Sequence, residues 1–270
     1  VLARGDEAER RLGVVESVHG PDTRAFLERA GLRAGMRVAD LGCGVGTVAC
    51  WMGCEMGADV IAIDAGEEQA ATASARRDRL YGDGRACPGS TTFLRASIYE
   101  TGLEGGSFDL VFSRFVLMHL QRPADALAEM RRLLKPGGVL AVEDGDFDSP
   151  FCYPPCPAYD RAFELYSLAG ARHGADFNIG RKLFGLVTEA GFRDVQVALA
   201  QPAVTRGEAK RLPEWTLAEC AETLIAEGIS TRAEIDSILD ELERYAQDET
   251  TLVGMARVAQ IRARSDHIDP

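Results

Sequence analysis

The stretch Val38-Ala39-Asp40-Leu41-Gly42-Cys43-Gly44-Val45-Gly46-Thr47 decides the fold. Arg37 to Leu41 is an apolar run with strand character. Glycines follow at 42, 44 and 46, and Val48-Ala49-Cys50-Trp51-Met52 restarts as an apolar helical pattern. A strand that empties through closely spaced glycines into a helix lets backbone approach a ligand that side chains would block. The helix N-terminus adds N–H donors suited to a carboxylate or phosphate.

A dinucleotide site wants G-x-G-x-x-G. Here the third glycine comes one residue early, and Thr47 stands where the fingerprint has Gly. Asp40, at the strand end, would repel a pyrophosphate but tolerate a cationic or zwitterionic ligand. An ordinary strand–helix turn is the bland alternative. The run D-L-G-C-G-V-G resembles the first motif of class I S-adenosylmethionine methyltransferases. That resemblance implies a loop, with Gly42, Cys43, Gly44 and Gly46, around the methionyl end of the cofactor, and Asp40 near its amino group.

Downstream spacing supports it. Asp59 to Asp64 is a short buried strand ending in an acid 22 residues past Gly42, where a second parallel strand presents a carboxylate to ribose hydroxyls. Ala65 follows it into the cofactor set. Residues 66–80 read as a helix and 82–90 as a loop. Thr91 to Ala96 is a third strand delivering Ser97 and Ile98, the pair that the resemblance places at the adenine, with Ser97 replacing an acid. Phe108 to Ser113 is the fourth strand, with Ser113 and Arg114 at its end. Pro123 to Leu134 is a helix closed by Lys135-Pro136-Gly137-Gly138, and Val139 to Glu143 is the fifth strand. Such alternation predicts an α/β fold with a doubly wound, mostly parallel sheet. S-F-D-L-V, H-L and L-K-P-G-G at these separations extend the methyltransferase resemblance over residues 35–145, which implies seven strands in a Rossmann-like fold.

Composition narrows the partners. The 270 residues carry a formal charge of −12 and are 46% apolar. That disfavours sequence-independent binding to nucleic-acid phosphates and supports a sizeable core. The apolar runs are too short for a membrane span, and no signal segment opens the chain. Seven scattered cysteines suit reduced, structural thiols in a cytoplasm. None has zinc spacing. Only three of the 30 basic residues are Lys, compatible with a GC-rich bacterial genome.

The flanks read as follows. Residues 4–18 and 22–30 are two helices broken at Pro21, with His19 in the solvated turn between them. Residues 1–34 are thus an N-terminal helical cover. The S-adenosylmethionine-binding core is 35–200, with substrate-side helices in 150–175. Glu143-Asp144-Gly145-Asp146-Phe147-Asp148 is a burst of acids where the fifth strand empties. A stiff Phe151 to Pro157 turn follows, then helices over 158–173 and 181–190 and a strand over 194–199. Two helices, 208–227 and 231–247, precede a last strand, 251–261. The 201–250 connection is longer than a hairpin needs and is expected as a helical lid over the active site. Residues 251–270 are the last core strand and tail.

Methyl transfer needs alignment, exclusion of water and, for some acceptors, removal of a proton. His119 is the leading base candidate, because S-R-x-x-x-x-H-L resembles phosphobase methyltransferases, in which a His serves in a catalytic dyad. Phe115 stands where those enzymes have an acid, and a packing role for His119 is the alternative. Glu143 and Asp144 are the next catalytic candidates. Arg114, Asp146, Tyr153, Tyr159, Tyr166, His173 and Asn178 are candidates for a small-molecule acceptor pocket. Metal-dependent O-methyltransferases resemble this fold but place acids after the fourth strand. Ser113-Arg114-Phe115 lacks them, so no metal is expected. The expected function is S-adenosylmethionine-dependent methylation of a small molecule in natural product biosynthesis, with C, N or O open as acceptor atom and a homodimer open as assembly. An NAD-dependent oxidoreductase and a non-catalytic cofactor-binding protein are the competing classes.

Overall fold

A computed structural model describes residues 6–66, 69–82 and 87–266, with side chains from Arg10 onward. The expected helix start at 4, residues 67–68 of the expected 66–80 helix, residues 83–86 of the 82–90 loop and the tail from 267 lie outside the described residues. The chain divides into two compact units. One comprises Asp22–Asp144, Arg181–Ala198 and the chain from Ala259; the other comprises the chain up to Pro21, Gly145–Gly180 and Leu199–Val258.

The first unit is built on a seven-stranded, mostly parallel sheet. Its strands are β1 (Arg37–Leu41), β2 (Asp59–Asp64), β3 (Ser90–Arg95), β4 (Phe108–Arg114), β5 (Leu134–Asp146), β7 (Arg193–Ala200) and β10 (Arg257–Arg264), in the order β3-β2-β1-β4-β5-β10-β7. The first five pair in parallel, with Asp40 opposite both Ala62 and Phe112, and Arg114 opposite Glu143. The order reverses at β1, and ligands of open α/β sheets bind at the carboxyl ends of the strands at such a switch point. β10 runs against β5: Gln260 reaches Glu143, whereas Ser265 donates its N–H to Gly138 O.

Helices α2 (Thr47–Cys54), α3 (Gln69–Tyr81), α4 (Pro123–Leu133) and α6 (Leu183–Glu189) connect the strands. Leu27, Val38, Ala49, Met52, Val60 and Phe112 form a fully buried core on one face, each of the side chains larger than Ala49 contributing about 1.5–3 kcal/mol by leaving water.

Four expectations change here. α1 is a single helix, Asp6–Ala30, with Pro21 inside it. The residue before proline normally clashes through its Cβ, and Gly20 has none. His19 is accordingly a buried helical residue, not a turn residue. β5 absorbs both Lys135-Pro136-Gly137-Gly138 and the acids, so Glu143, Asp144 and Asp146 are buried strand residues. Finally, Cys54 and Cys87 form a disulfide. Gly89 donates its N–H to Gly53 O at 3.1 Å, which lays the segment before β3 along the end of α2. The uniform reduced-thiol expectation fails, and with it that argument for a cytoplasmic location.

The second unit has a separate core. α5 (Pro157–Arg172), α7 (Leu212–Ala226) and α8 (Arg232–Gln247) pack around Tyr159, Leu165, Leu224 and Ile235. Beside them lies a small antiparallel sheet of β6 (Phe151–Tyr153), β9 (Leu252–Gly254) and β8 (Ala203–Val204), in the order β6-β9-β8. The expected stiff turn therefore begins as a strand. The expected strand 251–261 is two strands, β9 and β10, joined at Met255-Ala256. Gly254 sits where a Cβ would strike the Phe151 ring, so a side chain there would separate β9 from β6. The 201–250 connection supplies two of the three packed helices of this unit.

Candidate active site

The loop after β1 takes its shape from its glycines. Gly42, Gly44 and Gly46 have φ of 81°, 51° and 73°, a region closed to most L side chains. A Cβ at Gly42 would strike Val116, and one at Gly46 would strike Phe93 and Ala73, whereas nothing lies within 4 Å of the Cβ position at Gly44. Two of the glycines thus let the loop pack against the protein, and the third leaves space open for a ligand. Gly42 and Cys43 both donate N–H to Ile63 O, at 2.8 and 3.0 Å, which ties the loop to β2.

Asp64 completes that tie. Its Oδ2 accepts the Gly44 N–H and its Oδ1 the Gly66 N–H, each at 2.9 Å. Each carboxylate oxygen keeps a second lone pair for an O–H donor. Ala65, beside it, is exposed. Asp40 is buried, and its pKa is pushed up to about 7, by desolvation first, with Arg114 opposing and Asp64 adding to the rise. Burial also holds the Cys43 thiol protonated, so it can line the loop but is no nucleophile. Ser97 is exposed and accepts the Tyr99 N–H, and Ile98 is buried. Ser113 is buried and donates its hydroxyl to Leu41 O at 2.8 Å, locking β4 to β1 rather than facing a ligand through that group.

A polar network stands at the ends of β4 and β5. Glu143 accepts the Thr23 hydroxyl at one oxygen and Gln260 Nε2, at 2.8 Å, at the other. Arg114 donates to Thr23 Oγ1 at 3.1 Å. Phe115 follows with φ of 55°, uncommon for a bulky residue, and its N–H donates to Glu143 O at 2.9 Å. His119 ends a 3₁₀ turn, Leu117–His119, and is exposed. Asp144 is buried beside Glu143 in β5.

Residues 39–142 match the family model described as a methyltransferase domain. The chain carries a class I S-adenosylmethionine-dependent methyltransferase domain. A demethylmenaquinone methyltransferase of Clavibacter sepedonicus is 33% identical over 138 residues, 51% of this chain and 50% of the relative. The chain spans about half the length of the curated relatives it matches. Two solved structures share the fold of the methyltransferase domain. One is the YcgJ protein of Bacillus subtilis (TM-score 0.61, 16% identity, 92% of this chain and 99% of that one). The other is phosphoethanolamine N-methyltransferase 2 of Haemonchus contortus in complex with S-adenosyl-L-methionine (TM-score 0.57, 20% identity, 91% and 52%).

The methyltransferase domain thus gathers the expected cofactor residues along one loop and three strand ends. The expected acceptor residues other than Arg114 lie in the second unit and serve separate local structures. Asp146 is paired with Arg257 at 3.0 Å. The Tyr159 hydroxyl, in the core, donates to Gly254 O at 2.9 Å. Tyr166 stacks on Phe177 at 4.4 Å, and burial pushes its phenol up to about 12. His173 meets Glu227 at 2.9 Å, Asn178 exchanges hydrogen bonds with Asp148, and Tyr153 is largely exposed. Thr23, Gln260 and Gly66 were not expected. Gly66, two residues past an acid at a strand end, carried a readable turn signal; Thr23 and Gln260 carried none.

Proposed function

We propose that this chain transfers a methyl group from S-adenosylmethionine to a small organic acceptor, without a metal, as a tailoring step on a secondary metabolite. The observation that supports it most is the joint placement of the open Gly44, the doubly tied Asp64 and the buried Asp40. A backbone opening, a ribose acceptor and a buried acid for an ammonium fit the parts of that cofactor. When bound, it supplies a methyl carbon already activated on a sulfonium, so a protein base is needed only where the acceptor must lose a proton.

Each protein group then has a role. Asp64 accepts the ribose hydroxyls with the lone pairs left by Gly44 and Gly66. Ionised Asp40 holds the amino group. Ser97 and Ile98 border the adenine. Glu143, held at both oxygens, is a positioning residue that fixes Thr23 and through it Arg114. His119, exposed at the end of the 3₁₀ turn that follows β4, takes the acceptor proton. The glycine spacing and Asp40 oppose a dinucleotide, whose pyrophosphate the acid would repel.

Calorimetric titration with S-adenosylmethionine and with NADH tests the class. One-site binding of the sulfonium cofactor without NADH binding is expected. NADH binding in its place overturns the proposal. Incubation with cofactor and a panel of amine, phenol and enolisable metabolites, followed by mass spectrometry, then identifies the acceptor. Cofactor binding without turnover on any of them favours the non-catalytic reading.

A further inference from the structure

A cavity of about 230 Å³ opens at the amino-terminal edge of the sheet, lined among others by Arg33, Asp109, Lys135, Gly137, Arg262 and Arg264. It lies between the turn after α1, the starts of β4 and β5 and the end of β10. Asp109, the second residue of β4, and Arg114, its last, are five residue steps or roughly 17 Å apart. The cavity is therefore on the edge opposite the glycine loop, and nothing in the methyl-transfer reading uses it.

Its charge is the reverse of the chain's. In a protein of net charge −12, four cationic side chains line this cavity with one carboxylate. That carboxylate is committed: Asp109 takes Lys135 Nζ at 2.6 Å on one oxygen and the Arg37 N–H at 2.8 Å on the other. The three guanidiniums hydrogen-bond only neutral groups among the described residues. Arg264 donates to Gly137 O at 2.9 Å, Arg262 Nη1 to Gln196 Oε1 at 3.3 Å, and Arg33 reaches Gly31 O only at 3.5 Å. Arg262 Nε is buried with no hydrogen-bond partner, and an unsatisfied buried donor is costly. An oxyanion in the cavity would neutralise the excess charge of the cations that line it.

We propose that this cavity binds a compact polyanion of the diphosphate class. Guanidinium forks pair with such oxygens in bidentate geometry. Several converging cations favour an anion with more than one charged group over a monocarboxylate. The volume lies below the ~300–1,000 Å³ of sites for larger organic ligands, so the charged group itself is what the cavity holds.

Isothermal titration of the full chain with inorganic pyrophosphate, in the presence of saturating S-adenosylhomocysteine, tests this. One-site binding is expected, weakening at least tenfold between about 0.05 M and 0.5 M salt as screening grows. Arg262→Gln combined with Arg264→Gln should lower affinity at least tenfold and leave S-adenosylhomocysteine binding unchanged. Arg33→Gln, on an exposed turn, provides a second variant should the first lose its fold. Adenosine diphosphate under the same conditions separates a free diphosphate from a nucleotide-borne one, and binding of either supports the site. No pyrophosphate or adenosine diphosphate binding by the wild type, or equal binding by the folded variants, overturns it.

Discussion

At Asp64 one side chain holds the loop and is assigned the ribose. Asp64→Ala should weaken S-adenosylmethionine binding by about 1–3 kcal/mol, the range for charge-assisted hydrogen bonds. An unchanged dissociation constant in calorimetry would remove the assignment. Asp40 predicts a pH dependence of opposite sign for the free and the bound protein. Its folded pKa, about 7, is above that of an unfolded Asp, about 3.9. Between those values the folded state binds more protons, so its contribution to stability falls as pH rises from about 4 to 7. Affinity for the cofactor ammonium should instead rise through pH 7 as Asp40 ionises, and Asp40→Asn should flatten both profiles. A flat wild-type profile in thermal melts and titrations at pH 5–8 contradicts the buried-acid account. For His119, a base role predicts a loss of roughly 10²–10⁴-fold in turnover for His119→Gln, with cofactor affinity unchanged. A near-wild-type rate at saturating substrates assigns catalysis to positioning alone.

The helices of the 201–250 connection behave differently from an appended lid. Leu217 and Leu224 of α7 and Ile235 and Leu242 of α8 belong to the same buried cluster as Tyr159 and Leu165 of α5. Excising the connection would strip two sides of that cluster, so a deletion cannot separate gating from folding. A point change can. Leu224 is fully buried, and Leu224→Ala should cost about 2–5 kcal/mol. The expected readout is a lower melting transition with cofactor affinity retained, because the assigned cofactor residues belong to the other unit. Equal melting of wild type and variant would mean that this core is not formed in solution.

For the chain as a whole, the Cys54–Cys87 disulfide, with a sequence separation of 33, closes a loop that runs from the end of α2 through β2 and α3. In the chain-entropy view such a crosslink stabilises by about 3–4 kcal/mol. Cys87→Ser, or dithiothreitol on the wild type, should lower the melting temperature, and reductant should have no further effect on the variant. Identical melting of oxidised and reduced wild type contradicts a stabilising crosslink. No helix among the described residues is long and apolar enough to cross a membrane.

Local order along the chain sufficed for the methyltransferase core. Strand, glycine turn and helix alternate at short range from Val38 to Glu143, and Asp40, Gly44 and Asp64 are legible because each sits at a strand end where the turn chemistry announces it. The doubly wound order then follows from the handedness of parallel crossovers. Distant pairings had no such signal. Glu143 and Asp146 read as part of a burst of acids where the fifth strand ends, because alternation and charge report a segment's own preference. Only the neighbouring strands decide that β5 continues through them and that Thr23, Gln260 and Arg257 meet them. The Cys54–Cys87 link, the packing of α7 and α8 on α5 and the cation-lined cavity between the sheet's amino edge and Arg262 belong to the same category. Each brings together residues far apart in sequence, and the free energy that joins them comes from shared burial and charge rather than from local propensity.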